Sequence, residues 1–150
     1  MIVSYDIDGV LAQQPPPNEK KWGLMNGVER NARKVFLNNW YASANKLLNP
    51  KEETFYAISA RKQEYEIGTI TSDWLHHHYP KRILGFYLLD KPRSIQNVVQ
   101  FKAQTIIKLN AQRHYEDNKK VLRGLRKLLP EHIELYFWET GMLEPIPFTQ

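Results

Sequence analysis

Five short runs rich in β-branched and aromatic residues punctuate the chain, at "MIVSY", "TFYAIS", "ILGFYLLD", "RHYEDN" and "IELYFWE". Such runs suit a pleated surface, and their length fits buried strands better than helices. Between them, apolar residues recur at helical spacing, and this alternation is what most restricts the fold. Helices are predicted over 28–48 (Val35, Phe36, Trp40, Ala44, Leu47 and Leu48 inward) and over 63–78 (Ile67, Ile70, Trp74 and Leu75). Two more are predicted over 94–111 (Val98, Val99, Ile106 and Leu109) and over 119–129 (Val121, Leu122, Leu125, Leu128 and Leu129). Asn49-Pro50 stops the first. Strands that alternate with helices imply a parallel sheet covered on both faces: an α/β, three-layer domain with five strands, spanning 1–150 as one unit.

Two segments fall outside this pattern. "AQQPPPNEKKWGLMNG" is predicted as a long loop of the kind that forms lids or binding surfaces, with Trp22 near the expected mouth of a site. "EPIPFTQ" is predicted as a tail.

Composition narrows the functions open to such a domain. With 42% hydrophobic residues among 150, the chain is long enough to bury a sizeable core. No apolar run approaches the roughly 18 residues that span a bilayer, so no membrane association is expected. The N-terminus starts on a strand, with no basic region and apolar core of a signal segment. Cysteine is absent, which removes disulfides, thiolate metal sites and cysteine nucleophiles. The expectation is a cytoplasmic protein, and nothing in the sequence calls for an obligate protein partner. The net charge of +5 invites anionic partners. Lys and Arg are nevertheless scattered in pairs such as Lys20-Lys21 and Lys81-Arg82, which also suits a solvated basic surface.

In a Rossmann-like parallel sheet, ligands bind beyond the carboxyl ends of the strands, where strand order reverses. The residues predicted there are Asp6 and Asp8 after the first strand, Ser59 and Arg61 after the second, Asp90 (read as structural) after the third, and Glu116 and Asp117 after the fourth, with Lys102 on the helix leading into the fourth. Asp6-Ile7-Asp8-Gly9 read alone is equally a surface turn. Two carboxylates so close are costly to desolvate without a positive partner, and acids converging with a lysine and a hydroxyl are poorly explained as packing.

These motifs, in this order, resemble those of the haloacid dehalogenase (HAD) superfamily of phosphohydrolases. "YDIDGV" looks like its first motif and "FYAISAR" like its second; Lys102 in "FKAQTII" is placed like the third, and "HYEDN" like the acidic fourth. The resemblance implies a HAD-like fold and a Mg²⁺-dependent phosphomonoesterase. Asp6 would be the nucleophile that becomes an aspartyl phosphate. Asp8 would be the general acid and then base. Ser59 would bind a phosphoryl oxygen, and Lys102 would supply positive charge to the transition state. The metal would take Asp6, Asp117 and the backbone carbonyl of Asp8, with Glu116 orienting a metal-bound water or facing solvent.

Lys91, Arg93 and Lys108 compete with Lys102 for the role of catalytic lysine. Gly9, Arg61 and Lys62 are assigned to substrate binding, the two cations at the rim. Only about a dozen residues separate the third strand from the third motif, so the chain is expected to be capless or minimally capped, with an open crevice. "SAR" at 59–61 has some likeness to the "SGR" turn of polynucleotide phosphatase domains, with Ala60 in place of glycine. The favoured substrate class is therefore a nucleotide or nucleic-acid end phosphate. A small-metabolite phosphatase and a non-catalytic nucleic-acid-binding module remain as alternatives. His76, His77 and His78 are consecutive on a predicted helix, point in different directions, and cannot all bind one ion.

Overall fold

The computed structural model describes residues 1–16, 27–64 and 66–149; Trp22 and most of the long loop lie outside the described residues. Among the described residues the strands are β1 (Val3–Tyr5), β2 (Phe55–Lys62), β3 (Ile83–Leu89), β4 (Arg113–Glu116), β5 (Glu134–Phe137) and β6 (Ile146–Pro147). The helices are α1 (Gly27–Ser43), α2 (Ile67–His78), α3 (Ile95–Leu109) and α4 (Lys119–Leu128). They build an α/β structure around one six-stranded sheet in the order β3-β2-β1-β4-β5-β6.

Every pairing is parallel except the last, β5 with β6. The expected count of five strands is thus corrected to six. The sixth lies in the segment predicted as a tail, where Phe137 pairs with Ile146 and Tyr136 with Pro147. Its prolines hid it. Proline cannot donate to a ladder but is tolerated at a sheet edge, and Phe148 N completes the pairing by donating to Leu135 O at 2.8 Å.

Side chains alternate across the sheet with period two, and this assigns the two faces. Val3, Tyr5, Phe55, Ala57 and Tyr115 pack with Trp74, Leu75 and Tyr79, from α2 and its C-terminal end. On the other face, Ile58, Leu135 and Phe137 pack beneath Val98, Val99 and Ile106 of α3 and Val121, Leu122 and Leu125 of α4. A ten-residue helix such as α4 is too short to hold itself in water. It persists because three of its apolar residues are buried, each worth about 1.5–3 kcal/mol. Gly124 lets it approach α3 closely, since a Cβ there would lie 2.8 Å from Val99 Cγ2. Leu128, expected inward, is instead half exposed on the last turn.

The first helix differs most from expectation. It ends at Ser43, and Leu47 and Leu48 bond to Leu11 and Val10 as extended chain. Val35 and Phe36, expected inward, are exposed on α1. The helix packs on α2, so its outer side has no sheet to cover. The second helix starts at Ile67, later than predicted, because β2 runs on through Arg61 and Lys62. No helix among the described residues is long and apolar enough to cross a membrane.

Candidate active site

The strand order reverses at β1, which pairs with β2 on one side and β4 on the other. Asp6 follows β1, Glu116 ends β4 and Asp117 follows it, so the reversal brings three carboxylates to one crevice. This crevice, about 180 Å³, is also lined by Asp8, Lys102, Arg93, and the N-cap residues Ser94 of α3 and Asn118 of α4. Two helix N-termini aimed at one spot favour bound anions. Of the residues expected to converge, Asp6, Asp8, Lys102, Glu116 and Asp117 line this crevice, whereas Ser59, Arg61 and Asp90 do not.

Lys102 is 1% exposed. It sits mid-helix, one turn from Val98, so its stem runs through the apolar face of α3 before the ammonium meets the sheet. Its Nζ donates to Asp6 Oδ1 at 3.0 Å and to Glu116 Oε1 at 2.6 Å. Burial works against its charge, but those carboxylates outweigh it and hold the ammonium above its ordinary pKa. Lys102 is thus the lysine that bonds Asp6 and Glu116.

Glu116 is buried, not facing solvent. Burial would raise its pKa, yet Lys102 and His114 hold it below the usual carboxylate range. The His114 imidazole lies 3.3 Å from Glu116 Oε1 through Nε2 and 2.8 Å from Ser4 Oγ through Nδ1. Burial keeps it neutral. A neutral ring satisfies both contacts if Nε2–H donates to Glu116 and Nδ1 accepts from the Ser4 hydroxyl. Ser4 and His114 were not foreseen. Their signal was available: each is a polar residue inside a strand, and they pair directly across β1 and β4.

Asp6 and Asp117 carry the opposite electrostatics. Burial and the neighbouring Glu116 push Asp6 well above its ordinary value despite Lys102. The same two causes push Asp117 up to about 7. Carboxylates this close favour a proton or a bound cation between them. Asp6, Glu116 and Asp117 offer oxygens that all lie within 4.8 Å of one another. Three carboxylates against one ammonium leave a surplus of two negative charges, and an all-oxygen set suits a hard divalent cation. The donors therefore fit Mg²⁺ in chemistry and in charge. The Asp8 side chain is not in this group.

Gly9 adopts φ +89°, and a Cβ there would lie 2.1 Å from Asp117 Oδ2. Its amide donates to Ala12 O at 2.7 Å and is not offered to a ligand. Instead of binding substrate, Gly9 makes room for Asp117.

Asp8 is gripped by Arg61, whose Nε and Nη2 donate to its two oxygens at 2.9 and 2.8 Å. Nη1 donates to Thr71 Oγ1, and the guanidinium lies 3.9 Å over the Tyr41 ring. Arg61, expected at the rim, is only 4% exposed. The reason is that β2 continues past Ser59, so Arg61 points inward from a strand. Burial opposes its charge, but Asp8 outweighs it and keeps the guanidinium protonated. Lys62 does reach the surface, where it pairs with Glu64 at 3.0 Å. Ser59 is fully buried; its Oγ accepts the Arg61 amide at 3.0 Å, and it does not line the crevice. Of the three histidines, His76 bonds Ser72 O and His78 packs on Trp74. No family model, curated protein or solved structure matches the chain.

Proposed function

We propose that the chain is a Mg²⁺-dependent phosphomonoesterase of the HAD type, acting through an aspartyl phosphate on nucleotide or nucleic-acid end phosphates. The observation that carries this is the buried Lys102 bonded to Asp6 and Glu116 at the strand-order reversal, with Asp117 beside them. Asp6, Glu116 and Asp117 would hold the metal, which supplies charge neutralisation between nucleophile and phosphate.

Lys102 occupies Oδ1 of Asp6 and leaves the other oxygen to attack phosphorus. As that O–P bond forms, the ester P–O bond breaks and the leaving oxygen takes a proton. Asp8 lines the same crevice and is the nearest group suited to give it. Arg61 holds both of its oxygens, and those bonds must weaken as Asp8 takes up its proton, because a neutral carboxyl is a poorer partner for a guanidinium than a carboxylate. Water then attacks the phosphoryl group, its proton goes to Asp8, and the Asp6 carboxylate leaves. Lys102 and the N-termini of α3 and α4 offset the charge that builds on the phosphoryl oxygens.

The closed Asp8–Arg61 pair favours one competing possibility, a non-catalytic binding module in which that pair never opens. A phosphatase screen with Mg²⁺ separates the two. An aryl phosphate, mononucleotides and 3′- or 5′-phosphorylated oligonucleotides are the substrates. Phosphate release that chelation abolishes is expected. No release from any of them, with metal present, rejects the enzyme.

A further inference from the structure

The carboxylate crevice does not end at its rim. Ala60 and Arg93 line both it and a second depression of about 160 Å³. Arg33 and Leu37 line that second depression and also a third, of about 410 Å³, between α1 and α2. The three are therefore neighbours, and they mark out a trough from the Asp6 crevice towards α1. Among the described residues, Arg30, Arg33, Lys34 and Arg93 line the two outer depressions together with one acid, Glu64, which is paired with Lys62.

Two buried polar atoms here lack a partner among the described residues: Arg33 Nε and Asn38 Oδ1. Buried polar atoms are rarely left this way. A donor on a guanidinium suits a phosphate, whereas an amide acceptor suits an N–H such as a nucleobase carries.

Length decides between a small ligand and a chain. From Tyr41 back to Arg30, at 1.5 Å per residue, α1 extends the trough by about 16 Å. At about 3.4 Å of axis per strand phosphate, that is room for about five. A nucleoside bisphosphate would fill a fraction of it.

We propose that the α1–α2 trough is the path of a single nucleic-acid strand whose terminal phosphate sits at Asp6, with Arg30 and Arg33 taking internal phosphates. The inference rests on the phosphatase function proposed above for the position of the strand's end. It adds the polarity of the surface: the strand leaves over α1, not over β5 and β6 at the other side of the sheet.

The test is binding of a fluorescent, 5′-phosphorylated oligothymidylate of eight nucleotides, by anisotropy, across a salt series. Wild type is compared with Arg30→Gln/Arg33→Gln and with the charge-keeping Arg30→Lys/Arg33→Lys, each checked for folding by circular dichroism. Each lost phosphate contact removes about 0.7 from the slope of log affinity against log salt for a single strand. The Gln pair should therefore flatten the slope by about 1.4 and weaken binding at low salt about tenfold. The Lys pair should keep the wild-type slope. An unchanged slope in the Gln pair overturns the trough, and so does equal flattening in the Lys pair, which would exclude charge as the cause. Thymidine 3′,5′-bisphosphate losing as much affinity as the oligonucleotide would also overturn it, in favour of a small bisphosphate. If wild type releases no phosphate from any substrate, the phosphatase function fails, while the slopes still decide the trough.

Discussion

Replacing Lys102 by Met keeps the stem that crosses the apolar face of α3 and deletes the ammonium. Asp6 and Glu116 then lose donors at 3.0 and 2.6 Å in a site where all three groups are nearly inaccessible. Removing one partner of a buried ion pair costs about 3–5 kcal/mol, because the other charge stays desolvated. For a chain of this length that is a fall in Tm of about 6–20 °C. The loss must depend on pH. In the wild type, Glu116 is held below its unfolded value of 4.5, so it contributes stability that is present above that pH and lost as pH falls. In Lys102→Met the larger cause of that depression is gone and only His114 still opposes burial, so its pKa rises. Ionised Glu116 then destabilises the variant increasingly as pH rises. Urea unfolding followed by circular dichroism should show the largest gap to wild type at pH 8 and a clearly smaller one at pH 5, with Mg²⁺ recovering part of it. A loss below about 1 kcal/mol at pH 8, or one equal at both pH values, would refute the reasoning that Lys102 neutralises this cluster.

Asp6→Asn should abolish turnover while stability without metal holds or rises, since it removes one of three crowded carboxylates; thermal melting and phosphate release check the two halves. Gly9→Ala should lower Mg²⁺ affinity more than tenfold by driving Asp117 aside, and should cost about 1–3 kcal/mol from the positive φ; calorimetric titration and urea melts measure both. Asp117 has an ordinary value of 3.8 and is pushed up to about 7 in the fold. Its contribution to metal-free stability is therefore complete below about pH 4 and is lost as pH rises through 7, on the order of 2 kcal/mol. Mg²⁺ displaces the same proton, so its affinity should climb over that window.

The strands and their parallel order were legible because buried parallel strands are nearly continuous apolar runs, and "TFYAIS" and "ILGFYLLD" have no other comfortable state. Lys102 was legible as a position, but its stem lies among Val98, Val99 and Ile106, so only packing distinguishes it from Lys91 or Lys108. Arg61 looked like a rim charge because nothing local says that β2 continues to Lys62. Its partner Asp8 is 53 residues away, and that pairing exists only once β1 and β2 are side by side. The bond from His114 to Ser4 spans 110 residues and is invisible for the same reason. Strand β6 was missed because its only support is the edge of β5. Local pattern finds elements, whereas charge pairs at the carboxyl ends of strands are set by topology.

The central claim is that Asp6 is a nucleophile and not merely a metal ligand. The most direct measurement is mass spectrometry of the peptide carrying Asp6 after the protein is mixed with Mg²⁺ and an aryl phosphate and quenched in acid. A phosphoryl adduct on Asp6, formed as fast as the phenol is released and absent in Asp6→Asn, is the predicted result. Phenol released at the full rate with no adduct on Asp6 at any quench time, or sustained turnover by Asp6→Asn, would contradict it.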